Sequence, residues 1–440
     1  MRNFVMLIFF NLLILHVAGQ FNSYNDSLYS QYLNSNYYSA KIFSNELIKK
    51  HYDTKETWYI LGKVYESLYN YDSAGFCFNY ALKYDSTDLK ILHSLASAYL
   101  SNRNLNKALE VYQYIISVDK DNIDAKVNLA NIQSKIGKDY LARMYFVQLV
   151  SSDTNNTYFL SQLANCYNSL NESDSAVYYF EKSLIKNPED FSSVIKLNNL
   201  YVQKGAYKKG LSVTKKYLKN DTLNIPVLKL NAYFYFLLNE SDSAVMQFSK
   251  CLELGDSSFM IMKYLGLAYY KKQDMYMAQS YLNKAYQLDT NDIETCLYYG
   301  ITLGWTIDKS KGIEYLKKTK NLIFPEDEAI VRVYKEIADL YVAWSKPEEA
   351  LIYYNKILEY NTDNRLILFK LGSCYENIDK LKALDYYTNF MKTRDPDANQ
   401  VTINSEGLFV ISYYDIAEKR ITKLKEELFF EGKLKKNEEQ

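Results

Sequence analysis

The 440-residue chain is poor in proline, glycine and histidine, with five, 14 and three of these residues. An all-β fold needs turn residues at each of its many connections, so their scarcity favours packed helices. Lysine plus arginine and aspartate plus glutamate number 52 each, so there is no net charge to attract nucleic acid or an anionic membrane. The composition favours an all-α protein, and we expect no nucleic-acid partner.

Long apolar runs are lacking after the first 20 residues. Within those residues, Arg2 precedes an apolar run over 4–15 that only Asn11 interrupts, and small residues follow around Gly19. This pattern predicts a signal peptide over residues 1–19, and therefore a secreted or periplasmic (cell-envelope) protein whose mature chain has no membrane span. The alternative is an uncleaved anchor, although the run is shorter than the roughly 20 residues that a spanning helix needs.

What the chain does contain is an internal repeat with a period of about 34 residues. A small residue, preceded in most units by an apolar one and followed three positions later by tyrosine in most units, recurs at that step. The small-residue series includes Gly62, Ala96, Ala130, Ala164, Asn198, Ala232, Gly266 and Gly300. A second series recurs in phase with it, at Ala40, Ala74, Ala108, Ala142, Ala176, Gly210, Ala244, Ala278 and Gly312. Such a period indicates an array of identical supersecondary units.

Each unit has the apolar spacing of two short amphipathic helices. Trp58, Leu61 and Tyr65 form one stripe at helical steps, and Ala74 and Phe78 begin a second. Acidic or amide residues return after the second helix, where they suit turns and helix starts: Asp85, Asp119, Asp153, Asn187, Asp221 and Asp289. Neither helix can bury its stripe alone, so neighbouring units must stack.

The pattern of Trp58, Leu61, Gly62, Tyr65, Ala74, Phe78 and Ala81 resembles the tetratricopeptide repeat family. The resemblance implies an α-solenoid, a right-handed superhelix of about eleven helix-turn-helix repeats over residues 21–397. A four-residue insertion near Phe324 interrupts the step, and Leu371 begins the stripe of the last repeat. Residues 398–440 lack the repeat, and we interpret them as a capping helix and a charged tail.

The five cysteines are Cys77, Cys166, Cys251, Cys296 and Cys374. They fall in the second, fifth, seventh, ninth and eleventh repeats, and a solenoid repeat contacts only its neighbours. We therefore predict no intrachain disulfide and five small buried side chains instead.

No catalytic signature is recognisable in the sequence. The only histidines after residue 20 are His51 and His93, which belong to no motif, and no glycine-rich phosphate loop occurs. Carboxylates recur between the two helices of a repeat at Asp72, Asp174 and Asp242, and we interpret them as helix caps. We expect no enzyme, no cofactor and no metal site.

The residue that follows the small residue, here called the ladder position, is predicted to face the concave inner surface that the resemblance implies. It is asparagine in three consecutive repeats, Asn131, Asn165 and Asn199, and Asn168 extends the row. Amides both donate and accept hydrogen bonds, so this ladder suits the backbone of an extended peptide. The alternative is chance in an asparagine-rich chain.

Farther along the chain the same face becomes apolar. The residues are Tyr233, Phe236, Leu267, Tyr270, Leu297, Ile301 and, one residue from the stripe, Trp305. An exposed apolar row indicates a contact surface, and the alternative is packing against the adjacent helix. Lys229, Lys263 and Lys335 add scattered cations to this face.

These features predict a non-enzymatic scaffold that binds a peptide or a partner helix on its concave face. The partner is expected to be a protein or peptide. The alternative function is glycan binding or uptake, which the excess of tyrosine, 45 residues, makes worth testing. Self-association of solenoid ends is a third possibility.

Overall fold

A computed structural model describes residues 23–323, 328–362, 364–394, 402–403, 409–410 and 413–433. The predicted signal peptide, residues 324–327 near the predicted insertion, and the last seven residues lie outside them. The described chain is helical apart from two antiparallel two-residue strands, β1 (Thr402–Ile403) and β2 (Phe409–Val410). The predicted all-α class and repeated arrangement are confirmed.

The chain divides into two compact units, residues 1–204 and 205–440. Unit 1 contains eleven described helices: α1 (23–33), α2 (Tyr37–Lys49), α3 (Lys55–Ser67), α4 (Tyr71–Ala81), α5 (Leu89–Ser101), α6 (Leu105–Val118), α7 (Ile123–Lys135), α8 (Asp139–Ser152), α9 (Thr157–Ser169), α10 (Ser173–Lys186) and α11 (Phe191–Gln203). Odd-numbered helices are the first helices of their repeats and even-numbered ones the second.

Unit 2 continues with the same alternation. Its helices are α12 (Tyr207–Leu218), α13 (Ile225–Leu237), α14 (Ser241–Glu253), α15 (Phe259–Lys271), α16 (Met275–Leu288), α17 (Ile293–Thr306), α18 (Lys309–Leu322), α19 (Glu328–Ala343), α20 (Pro347–Tyr360), α21 (Arg365–Tyr375), α22 (Lys380–Lys392) and α23 (Tyr413–Phe430). The final helix packs on α22, where its Ala417 and Leu424 share a core with Tyr387 and Phe390.

The starts of the first helices repeat one polar contact. An asparagine or aspartate side chain at the N-cap accepts from the backbone N–H groups of the first turn, which would otherwise lack partners. These caps are Asp88, Asn122, Asn156, Asp190, Asn224, Asp292 and Asn364. The predicted turn residues Asp85, Asp119, Asp153 and Asp289 each accept from the N–H two residues later. The prediction that acidic and amide residues form these turns is confirmed.

The turn inside each repeat uses one left-handed residue. In the second repeat Tyr69 has φ 58°, and the N–H of Asn70 bonds the carbonyl of Tyr65 at 2.9 Å, which closes the end of the first helix. The residues in this place are Ser35, Tyr69, Arg103, Gly137, Asn171, Gly205, Asn239, Gln273 and Ser345. The same backbone turn, with one left-handed residue, therefore joins the two helices in most repeats.

The two helices of a repeat meet at the small residues. A Cβ on Gly62 would lie 2.5 Å from the ring of Phe78, and a Cβ on Gly312 would lie 2.4 Å from the Cα of Gly304. Both glycines are required by this close approach. All five cysteines are free and buried, as predicted, and burial raises the pKa of the Cys77 and Cys166 thiols to about 12.

The interpretation of Asp72, Asp174 and Asp242 as helix caps is wrong. The N-cap residues of α4, α10 and α14 are Asn70, Glu172 and Glu240, two positions earlier. The aspartates lie inside the first turn and bond the end of the following first helix: Asn102 donates to Asp72 at 2.7 Å, Lys204 to Asp174 at 2.6 Å, and Lys272 to Asp242 at 2.6 Å. They link consecutive repeats.

Candidate peptide-binding face

A polar cavity of about 250 Å³ lies in unit 1, between α9 and the start of α11. Its lining carries hydroxyl and amide groups with one carboxylate: Thr157, Tyr158, Ser161, Gln162, Asn165, Asn187, Asp190, Ser192 and Ser193. The carboxylate of Asp190 is already engaged as the cap of α11, where it accepts from the Ser193 hydroxyl at 2.6 Å. The groups left to meet a ligand are therefore mostly neutral.

Asn165 occupies the ladder position in this cavity and connects two repeats. Its amide nitrogen donates to the Gln162 side chain at 3.2 Å, and its oxygen accepts from Lys196 of α11 at 2.8 Å. The half-buried amide is thus held in one orientation and still has one N–H free to donate. This places a fixed hydrogen-bonding group on the cavity wall.

The other ladder asparagines differ in their environment. Asn131 and Tyr158 exchange hydrogen bonds at 2.9 and 3.1 Å, so the half-buried Asn131 side chain is bonded to the next repeat. Asn168 and Asn199 are exposed, and within the described residues neither makes a side-chain hydrogen bond. The structure thus brings Asn165 into the cavity and leaves Asn168 and Asn199 as open amides in unit 1.

The expectation of an exposed apolar row in unit 2 is wrong for four of its residues. Phe236, Leu267, Leu297 and Ile301 are only 9%, 3%, 8% and 1% exposed. Phe236 and Leu267 belong to the core around α13–α17, and Leu297 and Ile301 to the core of α17–α19. Packing against adjacent helices, the alternative considered for the sequence, describes them better.

Aromatic neighbours cover these positions. Tyr264 contacts Tyr233 at 4.8 Å and Phe236 at 5.2 Å between ring centroids, and Tyr298 contacts Tyr270 at 4.7 Å. Tyr233 and Tyr270 are consequently half-buried, with their rings packed edge to face against other rings. These four tyrosines therefore pack neighbouring helices together.

The inner-face lysines are paired. Lys229 meets Asp256 at 2.8 Å, and Lys263 meets Asp292 and Glu294 at 2.9 and 3.0 Å. Burial alone would raise the pKa of Asp256, but hydrogen bonds from Lys229 and Ser258 lower it to about 2. These cations hold repeats together and are not open to an acidic ligand without competition from their partners.

Unit 2 contains a cavity of about 310 Å³ that the sequence pattern did not predict. It is lined by Trp305, Asp339, Val342, Ala343, Tyr354, Phe369, Lys370, Ser373 and Cys374. Trp305 is 48% exposed at this cavity, while Asp339 accepts from Lys335 at 3.0 Å and Tyr354 at 2.6 Å. The exposed Trp305 was the available signal, but the residues around it come from three successive repeats.

Metal-ligating clusters and membrane spans are both missing from the part of the chain that the structure describes. No cluster of three or more histidine, cysteine, aspartate or glutamate side chains there is arranged to hold a metal ion. Among the same residues, no helix is both long enough and apolar enough to traverse a bilayer.

Comparison with known families supports the resemblance. A family model described as tetratricopeptide repeat matches residues 55–88, 265–292 and 331–364, the second, eighth and tenth repeats. These segments together cover less than half of the chain, and they support classification as a protein with tetratricopeptide repeats.

Among curated proteins, the chain is 20% identical over 352 residues to anaphase-promoting complex subunit CDC16 of Saccharomyces cerevisiae, covering 77% of this chain and 41% of that protein. It is 25% identical over 190 residues to the TPR repeat-containing protein MJ1428 of Methanocaldococcus jannaschii, covering 43% of this chain and 32% of the relative. The chain thus spans less than half the length of either relative.

Several solved structures are similar, and two of them are described as repeat proteins. YrrB, described as a TPR protein with an unusual peptide-binding site, is 21% identical with a TM-score of 0.38, over 43% of this chain and 95% of that one. A tetratricopeptide repeat protein from Parabacteroides merdae is 18% identical with a TM-score of 0.40, over 56% and 98%. The complex Cut9-Hcn1 gives 13% identity and a TM-score of 0.40, over 91% and 96%.

Proposed function

We propose that this chain is a non-enzymatic scaffold that binds an extended segment of a partner protein along the first helices of unit 1. Resemblance to a family of interaction repeats suggests the general role. The observation that carries the specific proposal is the cavity between α9 and α11, whose walls are mainly neutral amides and hydroxyls.

The chemistry of this wall matches a peptide backbone. Each peptide unit offers one N–H donor and one C=O acceptor, and the side chains of Gln162, Asn165 and Ser192 provide both functions. The bond that Asn165 donates to Gln162 and the one it accepts from Lys196 fix its side chain before a ligand arrives, so less side-chain entropy is lost on binding. Asn168 and Asn199 extend the polar surface beyond the cavity.

Glycan binding on Tyr233 and Tyr270, the alternative function, has weaker support. Sugar rings stack on open aromatic faces, whereas these two rings are half-buried and packed edge to face against Tyr264 and Tyr298. A ligand would have to displace those contacts. The polar cavity needs no such rearrangement.

The cellular location is part of the proposal. The pattern of residues 1–19 supports export followed by cleavage near Gly19. N-terminal sequencing of the protein recovered from cell-envelope and culture fractions tests this directly. A chain that begins at Met1 in the cytoplasm would contradict export.

The binding proposal is tested by affinity capture from the protein's own cell envelope, using tagged mature protein. We expect to capture a defined protein partner. The double variant Asn165→Ala/Asn199→Ala should bind this partner with a Kd about tenfold higher than wild type, because hydrogen bonds to the partner are lost. Asn389→Ala is the matched control, because Asn389 is a half-buried asparagine on the second helix α22.

Capture of a partner that binds the double variant and the control equally would contradict the polar-cavity site. Failure to capture any protein, with the folded control and wild-type chains both intact, would contradict the scaffold function itself. Circular dichroism of all three proteins establishes that they fold alike.

A further inference from the structure

A second cavity of unit 1 lies elsewhere, between the second helices α2 and α4 with α3 as its floor. Its volume is about 420 Å³, within the range of small-molecule sites. The lining combines aromatic and polar side chains: Asn45, Ile48, Trp58, Leu61, Tyr65, Asp72, Ser73, Phe76 and Cys77. None of these residues belongs to the polar cavity at α9.

The period of the chain shows what is unusual here. In the next repeat, Asn79 and Tyr99 stand one full period after Asn45 and Tyr65, and Asn79 donates to the Tyr99 hydroxyl at 3.0 Å. Three periods after that pair, Glu181 and Tyr201 are also bonded, with the Tyr201 hydroxyl donating to the Glu181 carboxylate at 2.5 Å.

Asn45 and Tyr65 make no such bond. Within the described residues neither side chain has a hydrogen-bond partner, although Lys41 lies 5.0 Å from the Tyr65 ring centroid. Both line the cavity. The pair that is bonded in those two repeats therefore leaves an amide and a hydroxyl facing an open cleft here.

An aromatic platform borders the same cleft. Phe76 is 56% exposed, and its ring is supported by Trp58 at 6.3 Å and Tyr80 at 4.7 Å. Trp58 is held in turn by a hydrogen bond from its indole N–H to Asp53 at 2.8 Å. Because its neighbours are fixed, Phe76 offers an apolar surface with little side-chain freedom to lose.

The charge of the lining narrows the ligand class. It includes one carboxylate, Asp72, and no lysine or arginine. Asp72 accepts from Asn102 at 2.7 Å and retains further lone pairs, so it can accept from hydroxyl donors. An anionic ligand is disfavoured, and a neutral ligand rich in hydroxyl groups is favoured.

We propose that the cleft between α2 and α4 binds a neutral sugar ring of a glycan. The apolar C–H face of a pyranose packs on Phe76, while its hydroxyl groups bond Asn45, Tyr65 and Asp72. This combination of an aromatic face with amide, phenol and carboxylate groups suits a sugar better than a partner helix, which would leave those polar groups without partners. The site is independent of the peptide-binding proposal.

The test titrates the full mature protein with maltotriose, cellotriose and chitotriose, and with sialyllactose as the anionic comparison. Trp58 in the cavity wall supplies a fluorescence signal, and calorimetry supplies the stoichiometry. We expect one neutral trisaccharide to bind at one site per chain and sialyllactose to bind at least about tenfold more weakly.

Two variants locate the site. Phe76→Ala is expected to weaken sugar binding by about tenfold, or about 1.4 kcal/mol, and Asn45→Ala by a few-fold. Tyr178→Ala is the matched control: Tyr178 lies three periods after Phe76 and is 57% exposed, against 56%. It should bind sugar as wild type does, as should Asn165→Ala, whose defect is confined to the peptide site.

Absence of binding by all three neutral sugars up to ~10 mM would overturn the proposal, as would binding that Phe76→Ala leaves unchanged. The third contrary result is a captured protein partner whose affinity falls in Phe76→Ala while no sugar binds, which would make the cleft a protein contact. Phe76 is exposed, so its replacement should not unfold the chain, and circular dichroism verifies this.

Discussion

The ladder position has opposite environments in α9 and α11 of unit 1 and in α15 and α17 of unit 2. In unit 1, Asn165 is half-buried at a cavity and Asn199 is exposed; in unit 2, Leu267 and Ile301 are almost fully buried. All four residues directly follow the small residue of a first helix. Their exposure therefore depends on the side chains around them and is not fixed by the repeat.

The neighbouring side chains explain the difference. Three residues before the ladder position, unit 1 has Gln162 and Lys196, while unit 2 has Tyr264 and Tyr298. Tyrosine rings are broad and pack edge to face, so they cover the helix surface beside them. One backbone pattern thus supports hydrogen-bonding side chains in α9 and α11 and apolar core residues in α15 and α17.

The largest expected effect on stability comes from replacing an apolar residue at the ladder position of unit 2 by the asparagine found there in unit 1. Leu267→Asn places an amide in a fully apolar core and removes packed methyl groups, and we expect a loss of about 3–5 kcal/mol in the free energy of unfolding. Urea denaturation followed by circular dichroism measures it.

The reverse exchange, Asn199→Leu in unit 1, sharpens the same comparison. Asn199 is exposed, so the change should alter stability by less than about 0.5 kcal/mol. Equal losses in the two variants would contradict the contrast between the units.

An acid-sensitive ion pair gives the next effect in size. The pKa of Asp256 is lowered to about 2, against 3.8 ordinarily, so its pairing with Lys229 stabilises unit 2 above about pH 4. That contribution is lost as the pH falls from about 4 to 2. We expect Lys229→Met to cost roughly 1–2 kcal/mol at pH 7, and the difference from wild type to shrink over this interval.

Ser161 provides the matched control in unit 1. It occupies the repeat position of Lys229, and its hydroxyl donates to the Tyr158 carbonyl at 3.0 Å. Thermal unfolding of Ser161→Ala and Lys229→Met between pH 7 and pH 2 compares them. A difference from wild type that stays constant with pH for Lys229→Met would rule out the proposed contribution of Asp256.

The smallest effect on stability is expected for an ion pair that occurs in both units. Asp174 bonds Lys204 in unit 1 and Asp242 bonds Lys272 in unit 2, both at 2.6 Å, and both aspartates are exposed. Exposed pairs contribute little because water screens them. We expect Asp174→Ala and Asp242→Ala each to lower the thermal midpoint by no more than about 2 °C, as measured by circular dichroism. A shift well above this in only one variant would reveal a hidden difference between the units.

The helical repeat could be predicted from the sequence because it depends on local rules. The constant step between repeats, the small residues and the turn aspartates each act within one repeat or between neighbours, and the helix pairs follow from them. The burial of the cysteines could be predicted for the same reason. Those features recur often enough to identify a pattern without any alignment.

The candidate sites could be predicted only in part. The spacing of the repeat was enough to find Asn165, Asn168 and Asn199. The burial of Leu267 and Ile301 depends instead on the broad rings of Tyr264 and Tyr298, and the repeat spacing does not show how large the neighbouring side chains are. The cleft at Asn45 depends on the lack of a hydrogen bond that two later repeats make. Both outcomes arise from individual side chains that depart from the repeat.

An identical eight-residue segment occurs twice, as residues 170–177 and 238–245. Both copies form the same turn, with Asn171 and Asn239 left-handed at φ 60° and 59°, and in both the aspartate accepts a hydrogen bond from a lysine 30 residues later. Because each turn closes within its own repeat, a gene can gain or lose whole repeats without disturbing the rest of the chain. Array length is therefore open to evolution in steps of one whole repeat, and new binding surfaces can arise by duplication followed by change at the ladder position.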